Sequence, residues 1–177
     1  NYDLSANEIL FYNLSNGSYA NSLMVQIITK PIKRIEITTA YRYYDVQTKF
    51  NGTSYQRNPL TPANRAFLNS DIALGKKWNW DLTISWNGQS RIPSTSDKPV
   101  EFQLNPTSND FWLFNSQVKF SSKKRWDFYL GTENLFNFQQ TNPIIDAQKP
   151  FGSNFDASLI WGPVFGRKVY FGMKLKI

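Results

Sequence analysis

Apolar and polar residues alternate along most of this chain with a period of two, the signature of strands with one greasy and one wet face. A short candidate strand around Glu8 to Tyr12 precedes the turn-rich Ser15-Asn16-Gly17-Ser18. Ser22 to Lys30 puts Leu23, Val25 and Ile27 on one face and Gln26 on the other, and Pro31, which has no N–H to donate, predicts a tight reversal. From Lys33 to Asp45, Ile35, Ile37, Thr39, Tyr41 and Tyr43 alternate with Arg34, Glu36, Thr38, Arg42 and Tyr44. Burying that second face in a dry core would strand several charges, so it must face water. Further strands are predicted over Ala66–Leu74, Trp80–Gln89, Phe111–Ser121, Trp126–Glu133 and the closing Val169–Ile177, where Val169, Phe171, Met173, Leu175 and Ile177 oppose Lys168, Tyr170, Gly172, Lys174 and Lys176.

The connections sort by length. Short turns follow residues 30, 75 and 121, whereas long polar connections follow 45, 91 and 135. The segment from Gln47 to Asn64, with Asn51-Gly52, Pro59 and Pro62, is expected to be irregular, as is Ile92 to Asp110 with Pro93, Pro99 and Pro106. About eight strands with alternating short and long connections is the pattern of an antiparallel transmembrane β-barrel, with short periplasmic turns and longer extracellular loops. Trp80, Phe120 and Trp126 beside the short turns suit an interfacial aromatic belt.

Composition sharpens the picture. The 177 residues include 14 Phe, 9 Tyr and 6 Trp, 16% aromatic, yet mean hydropathy is −0.47. Large rings in a polar sequence suit a sheet whose faces meet different solvents. No run approaches the ~20 apolar residues of a helical span, so any membrane crossing falls to strands. Cysteine and histidine are both absent, which removes disulfides, thiolate sites and the commonest general base and metal ligand. A net charge of +7 invites a nucleic-acid partner, but the cations are scattered singly or in short groups such as Lys76-Lys77, and no nucleic-acid binding is expected. The amino end has neither an initiating Met nor a basic-then-apolar leader, so a processed or partial chain is expected.

Candidate chemistry is sparse. No phosphate-binding or dinucleotide glycine loop occurs, and a Ser/His/Asp set is impossible without histidine. The carboxylates Asp71, Asp81, Asp127 and Glu133 alternate with apolar residues and suit a wet wall better than an acid/base pair. The expectation is no enzyme, no cofactor and no metal.

The last third carries motifs: Gly131, Glu133, Asn134, Leu135, Phe136 and Asn137 within GTENLFN, then Trp161, Gly162, Pro163, Gly166 and Arg167 within WGPVFGR before the closing strand. Together they resemble the carboxyl-terminal end of a TonB-dependent outer-membrane receptor of the Bacteroidetes type. The resemblance implies that residues 1–177 are the C-terminal part of one transmembrane barrel of about twenty-two strands, with the plug domain and N-terminal strands absent. Gly172, Leu175 and Ile177 then form a C-terminal assembly signal, which departs from the usual pattern because its last residue is not aromatic.

That resemblance implies import of a bulky nutrient (a ferric chelate, corrinoid, glycan or peptide) across the bacterial outer membrane. Its partners are outer-membrane lipid and lipopolysaccharide, the barrel-assembly machinery, a TonB-ExbB-ExbD complex acting through the missing plug, and a surface lipoprotein lid. Arg34, Glu36, Arg42, Asp71, Asn87, Gln89, Gln117, Lys119 and Lys174 are the lumen- or plug-facing candidates, although a merely solvated face accounts for any one of them. Tyr55, Arg57, Arg65, Arg91, Trp112 and Trp161 are the candidate ligand contacts in the long connections. Two alternatives remain at this level: a self-contained eight-stranded barrel serving as adhesin, anchor or narrow pore, and a soluble, aromatic-rich carbohydrate-binding β-sandwich. Large residues on the inner face, Tyr44, Phe67, Tyr129 and Tyr170, would crowd the small barrel.

Overall fold

The computed structural model describes residues 17–50, 54–122 and 125–176. The candidate strand at Glu8–Tyr12 and the final residue Ile177 lie outside them. Among the described residues eight strands form one antiparallel sheet: β1 (Ser18–Ile32), β2 (Ile35–Phe50), β3 (Ser54–Arg57), β4 (Asn64–Leu74), β5 (Trp78–Asn87), β6 (Phe111–Ser121), β7 (Trp126–Glu133) and β8 (Lys168–Leu175). Neighbours in the sheet run β1-β2-β4-β5-β6-β7-β8, and β3 pairs with β2. The fold is all-β, and each long strand pairs with the next along the chain, as in an up-and-down barrel wall. Among the described residues its outermost strands are β1 and β8.

Register settles which residues share a face, because directly opposed residues of an antiparallel pair point the same way. One face runs Val25, Tyr41, Ala66, Trp86, Trp112 in successive partners across β1, β2, β4, β5 and β6. Nearer the short turns it runs Ile35, Ile72, Trp80, Val118, Leu130, Phe171. The opposite face runs Glu36, Asp71, Asp81, Gln117, Gly131, Tyr170. The alternation expected from sequence therefore holds in phase across the sheet, since a slip by one residue would have turned a strand's apolar set over.

Two expectations are corrected. Pro31 does not end its strand: β1 continues to Ile32, with an irregularity between Thr29 and Ile32, and the reversal falls at Lys33-Arg34. Proline is tolerated there because it lies in the irregular stretch between Thr29 and Ile32, where the ladder with β2 is interrupted and its missing N–H breaks no pair. The segment after residue 45 is not irregular throughout either. β2 extends to Phe50, and β3 folds back on it with Lys49 opposite Tyr55 and Gln47 opposite Arg57, in the position beside β2 that β4 occupies lower down.

The short connections after β1, β4 and β6 lie at one end of the sheet, and the three long connections lie at the other. Buried apolar side chains gather mainly at the loop end: Ala63, Ile92, Phe111, Ile145 and Leu159. The loops pack on one another as well as on the strands. The buried Lys98 Nζ, in the β5–β6 connection, donates to the Asn154 carbonyl at 3.3 Å and lies 4.0 Å from the buried Asp156 carboxylate, in the β7–β8 connection.

Candidate functional site

Large side chains of the apolar face stand open to solvent. Leu23, Val25, Ile27, Trp78, Trp112, Leu130, Val169, Phe171 and Met173 all stand at least half open to solvent, while the buried strand residues Ala40, Thr48, Phe111 and Asp127 belong to the opposite face. A water-soluble sheet has the reverse arrangement. Soluble monomers seldom expose a contiguous apolar patch beyond a few hundred Å², whereas here the patch extends over seven strands in register.

Aromatic rings bound this face at both ends. At the turn end Trp78 packs on Phe120 with centroids 4.8 Å apart, and Trp126 stacks on Phe128 at 6.3 Å. At the loop end Trp86 faces Trp112 at 6.3 Å, and the Trp86 indole N–H donates to Asp110 at 2.9 Å. Between the belts lie Leu68, Leu82, Ile84 and Phe114. Strands β4, β5 and β6, of 11, 10 and 11 residues, match the roughly 9–11 residues a tilted strand needs to cross a bilayer.

The polar face is a hydrogen-bonded wall. Asn69 Nδ2 donates to Asp81 (2.9 Å) and Thr83 (2.8 Å), Asn79 Nδ2 donates to Asp71 (2.6 Å), and the Tyr170 hydroxyl donates to Gln117 (3.1 Å). Lys30 pairs with Glu36 at 2.8 Å, and Lys176 pairs with Asp127 at 2.9 Å. Tyr129 lies opposite Gly172 and Tyr170 opposite Gly131. Each ring lies over the glycine facing it, so a methyl group at either glycine would collide with the ring. Gly172 thus has a packing duty that its place in a terminal pattern did not reveal.

Of the nine lumen-facing candidates, Glu36, Arg42, Asp71, Asn87, Gln117, Lys119 and Lys174 lie on this face. Arg34 sits in the β1–β2 turn, where its carbonyl accepts from the Ala73 N–H, and Gln89 lies just beyond the end of β5.

The ligand-contact candidates scatter. Trp112 is not in a loop: it belongs to β6 and to the apolar face. Tyr55 and Arg57 sit on β3 with the parity of the apolar face, above its aromatic belt, where Lys49 lies 4.7 Å over the Tyr55 ring and Arg57 is 3.8 Å from Asp45. Arg91 donates through Nε to the Arg57 carbonyl at 2.7 Å, tying two long connections together. Trp161 packs on Phe111 at 5.9 Å. Arg65 lies in β4 on the polar face. Of the terminal trio, Leu175 faces Trp126 on the apolar side.

The two carboxyl-terminal motifs meet. Asn134, buried and in the left-handed conformation (φ 51°), donates through Nδ2 to the Phe138 carbonyl at 2.7 Å, and its Oδ1 accepts from the Phe138 N–H at 2.8 Å. Asn137 Oδ1 accepts from the Arg167 N–H, and Gln140 Oε1 accepts from the N–H groups of Trp161 and Gly162. Side-chain amides of the first motif region thereby satisfy backbone donors of the second, which folds the long β7–β8 connection back to the sheet. Gln140 escaped the sequence argument because it lies between the two motifs. Beside this clasp a cleft of about 420 Å³ opens, lined among others by Leu113, Asn115, Glu133, Val164, Phe165 and Lys168. Among the described residues no group of acidic side chains is arranged to hold a metal ion.

No protein-family model matches the chain, and no curated protein matches it in sequence. Among solved structures it is similar to the ferric-catecholate import receptor Fiu of E. coli K12 in its closed form, with a TM-score of 0.60 and 12% identity over 88% of this chain and 21% of that one. It is similar also to the siderophore receptor PiuA from Acinetobacter baumannii, with a TM-score of 0.59 and 11% identity over the same shares of the two chains. At such identities the likeness shows the fold alone: the antiparallel sheet matches part of the chains of those two receptors. The chain spans about one fifth (21%) of the length of those receptors.

Proposed function

We propose that this chain is part of the wall of a bacterial outer-membrane receptor that imports a bulky solute, with TonB, ExbB and ExbD supplying energy through a plug domain. The observation that carries the proposal is the inverted sheet, with large apolar side chains exposed on one face, aromatic belts at both ends of it, and a hydrogen-bonded polar wall behind. Lipid on the apolar side and water on the polar side satisfy both faces at once. The bulky rings of Tyr44, Phe67, Tyr129 and Tyr170 on the polar face favour a wide barrel over a closed one of about eight strands, whose interior side chains fill it. The receptor neighbours make a ferric chelate the first cargo to test, and the GTENLFN and WGPVFGR motifs support a receptor of the Bacteroidetes type.

The test is fractionation combined with uptake. The protein is expected in the outer-membrane fraction, extracted only by detergent, and iron supplied as a ferric catecholate should enter cells only when both the protein and TonB are present. Recovery as a soluble protein without detergent would overturn the membrane reading and restore the carbohydrate-binding sandwich. Membrane localisation with no TonB-dependent uptake of any large solute would leave the small-barrel alternative.

A further inference from the structure

On the polar face the strand register sets two arginines directly opposite each other, Arg42 of β2 and Arg65 of β4. Like charges opposed on one face of a sheet repel and destabilise it. Elsewhere on this face two cations near the turn end have carboxylate partners, Lys30 with Glu36 and Lys176 with Asp127. Among the described residues, neither Arg42 nor Arg65 has one.

The surroundings sharpen the contrast. Successive partners through the pair read Met24, Arg42, Arg65, Asn87, Phe111, and the adjacent row toward the turns reads Gln26, Ala40, Phe67, Ser85, Leu113, with no acid in either. The acids of this face at β2, β4 and β5 lie further down, in the row of Glu36, Asp71 and Asp81. Near the loop end Asp45 and Asp110 point to the other face, where they accept from Tyr19 and from Trp86. Arg42 lies 5.1 Å over the ring of Tyr44, a contact that steadies its guanidinium plane. Asn87, opposite Arg65, adds a neutral amide that can donate.

We infer that Arg42 and Arg65 form an anion-binding site on the polar face, at the end of the sheet that carries the long connections, for a solute bearing carboxylate or phosphate oxygens. Two guanidinium groups carried at directly opposed positions suit a multi-oxygen anion, which each can grip in bidentate fashion and whose charge removes their mutual repulsion. Tyr44 supplies an apolar wall and Asn87 a further donor. This deepens the proposed function, since it takes the polar face as the watered side of the wall and gives the cargo a chemical class: an acidic, oxygen-rich solute.

The test is equilibrium dialysis of radiolabelled citrate and, separately, of inorganic phosphate, against the detergent-purified protein at physiological salt. Arg42→Gln/Arg65→Gln and Arg42→Lys/Arg65→Lys double variants are compared with the native sequence. Saturable binding of at least one anion is expected, weakened roughly ten- to a hundredfold in the glutamine variant and less in the lysine variant. Citrate binding alone assigns the carboxylate class, and phosphate binding alone the phosphate class. Heat-modifiable gel mobility, kept in both variants, shows that the sheet still assembles. Failure of the native protein to bind either anion up to millimolar concentration, or equal binding by the folded glutamine variant, overturns the site. Outer-membrane fractionation of the native protein is read independently, so loss of the arginine site and loss of the membrane reading give different results.

Discussion

Replacing Leu82 by Arg tests which solvent the apolar face meets. Leu82 lies on β5 midway between Trp78 and Trp86, with Ser70 and Ser116 as its cross-strand partners and no charged residue beside it on that face. The two tryptophans are separated by about 26 Å of strand at ~3.3 Å per residue, so Leu82 sits near the middle of the apolar band. An arginine there costs about 2–4 kcal/mol when the face meets hydrocarbon, a factor of roughly 30 to 900 in the ratio of folded to unfolded protein. Thr83→Arg, one residue along, points to the wet wall near Asp81 and Asn69 and should cost less than about 1 kcal/mol. The assay is reversible urea unfolding in lipid vesicles, followed by tryptophan fluorescence. Equal stability of the two variants, or a greater loss for Thr83→Arg, would refute the assignment of faces.

Gly172→Ala should destabilise the sheet by about 1–3 kcal/mol because its methyl group displaces the Tyr129 ring; adding Tyr129→Ala should recover part of that loss in a double-mutant cycle, and strict additivity would contradict the ring-over-glycine contact. Asn134→Ala removes a side chain that both donates to and accepts from Phe138, so limited proteolysis should cut the β7–β8 connection faster while the strands remain protected. Asp156→Ala leaves the buried Lys98 ammonium without its carboxylate, and a destabilisation of about 3–5 kcal/mol should appear as early release of the two docked loops in hydrogen exchange. Deletion of β8 from Val169 removes the β8 partner of every β7 residue from Trp126 to Thr132, and surface display should be lost; normal display would contradict its place in the wall.

The strands were legible because the environment on each side of the sheet dictates residue type, so solvent is written into alternate positions. The faces of β2, β4, β5, β6, β7 and β8 follow from that alternation alone. β1 was less clear, because its polar face carries Met24 and Ile28 as well as Gln26. β3 was not legible, because its four residues, Ser-Tyr-Gln-Arg, alternate nothing and lie among turn formers, and β2 alone makes them a strand. The clasp around Asn134 and Gln140 lies in tertiary hydrogen bonds between segments about twenty residues apart. The pairing of Arg42 with Arg65 depends on the register of two strands separated by a long connection, which periodicity within either strand does not fix.

Because these 177 residues contain no cysteine, site-directed spin labelling can read which solvent each face of the sheet meets. Single cysteines placed from Asp81 to Ser85 carry a nitroxide spin label, and the protein is studied in lipid vesicles. Accessibility to oxygen, which concentrates in lipid, is compared with accessibility to a water-soluble nickel chelate. The expected ratio alternates with period two, with lipid exposure at Leu82 and Ile84 and water exposure at Asp81, Thr83 and Ser85. A flat profile, or one in the opposite phase, would contradict a sheet that stands between lipid and water.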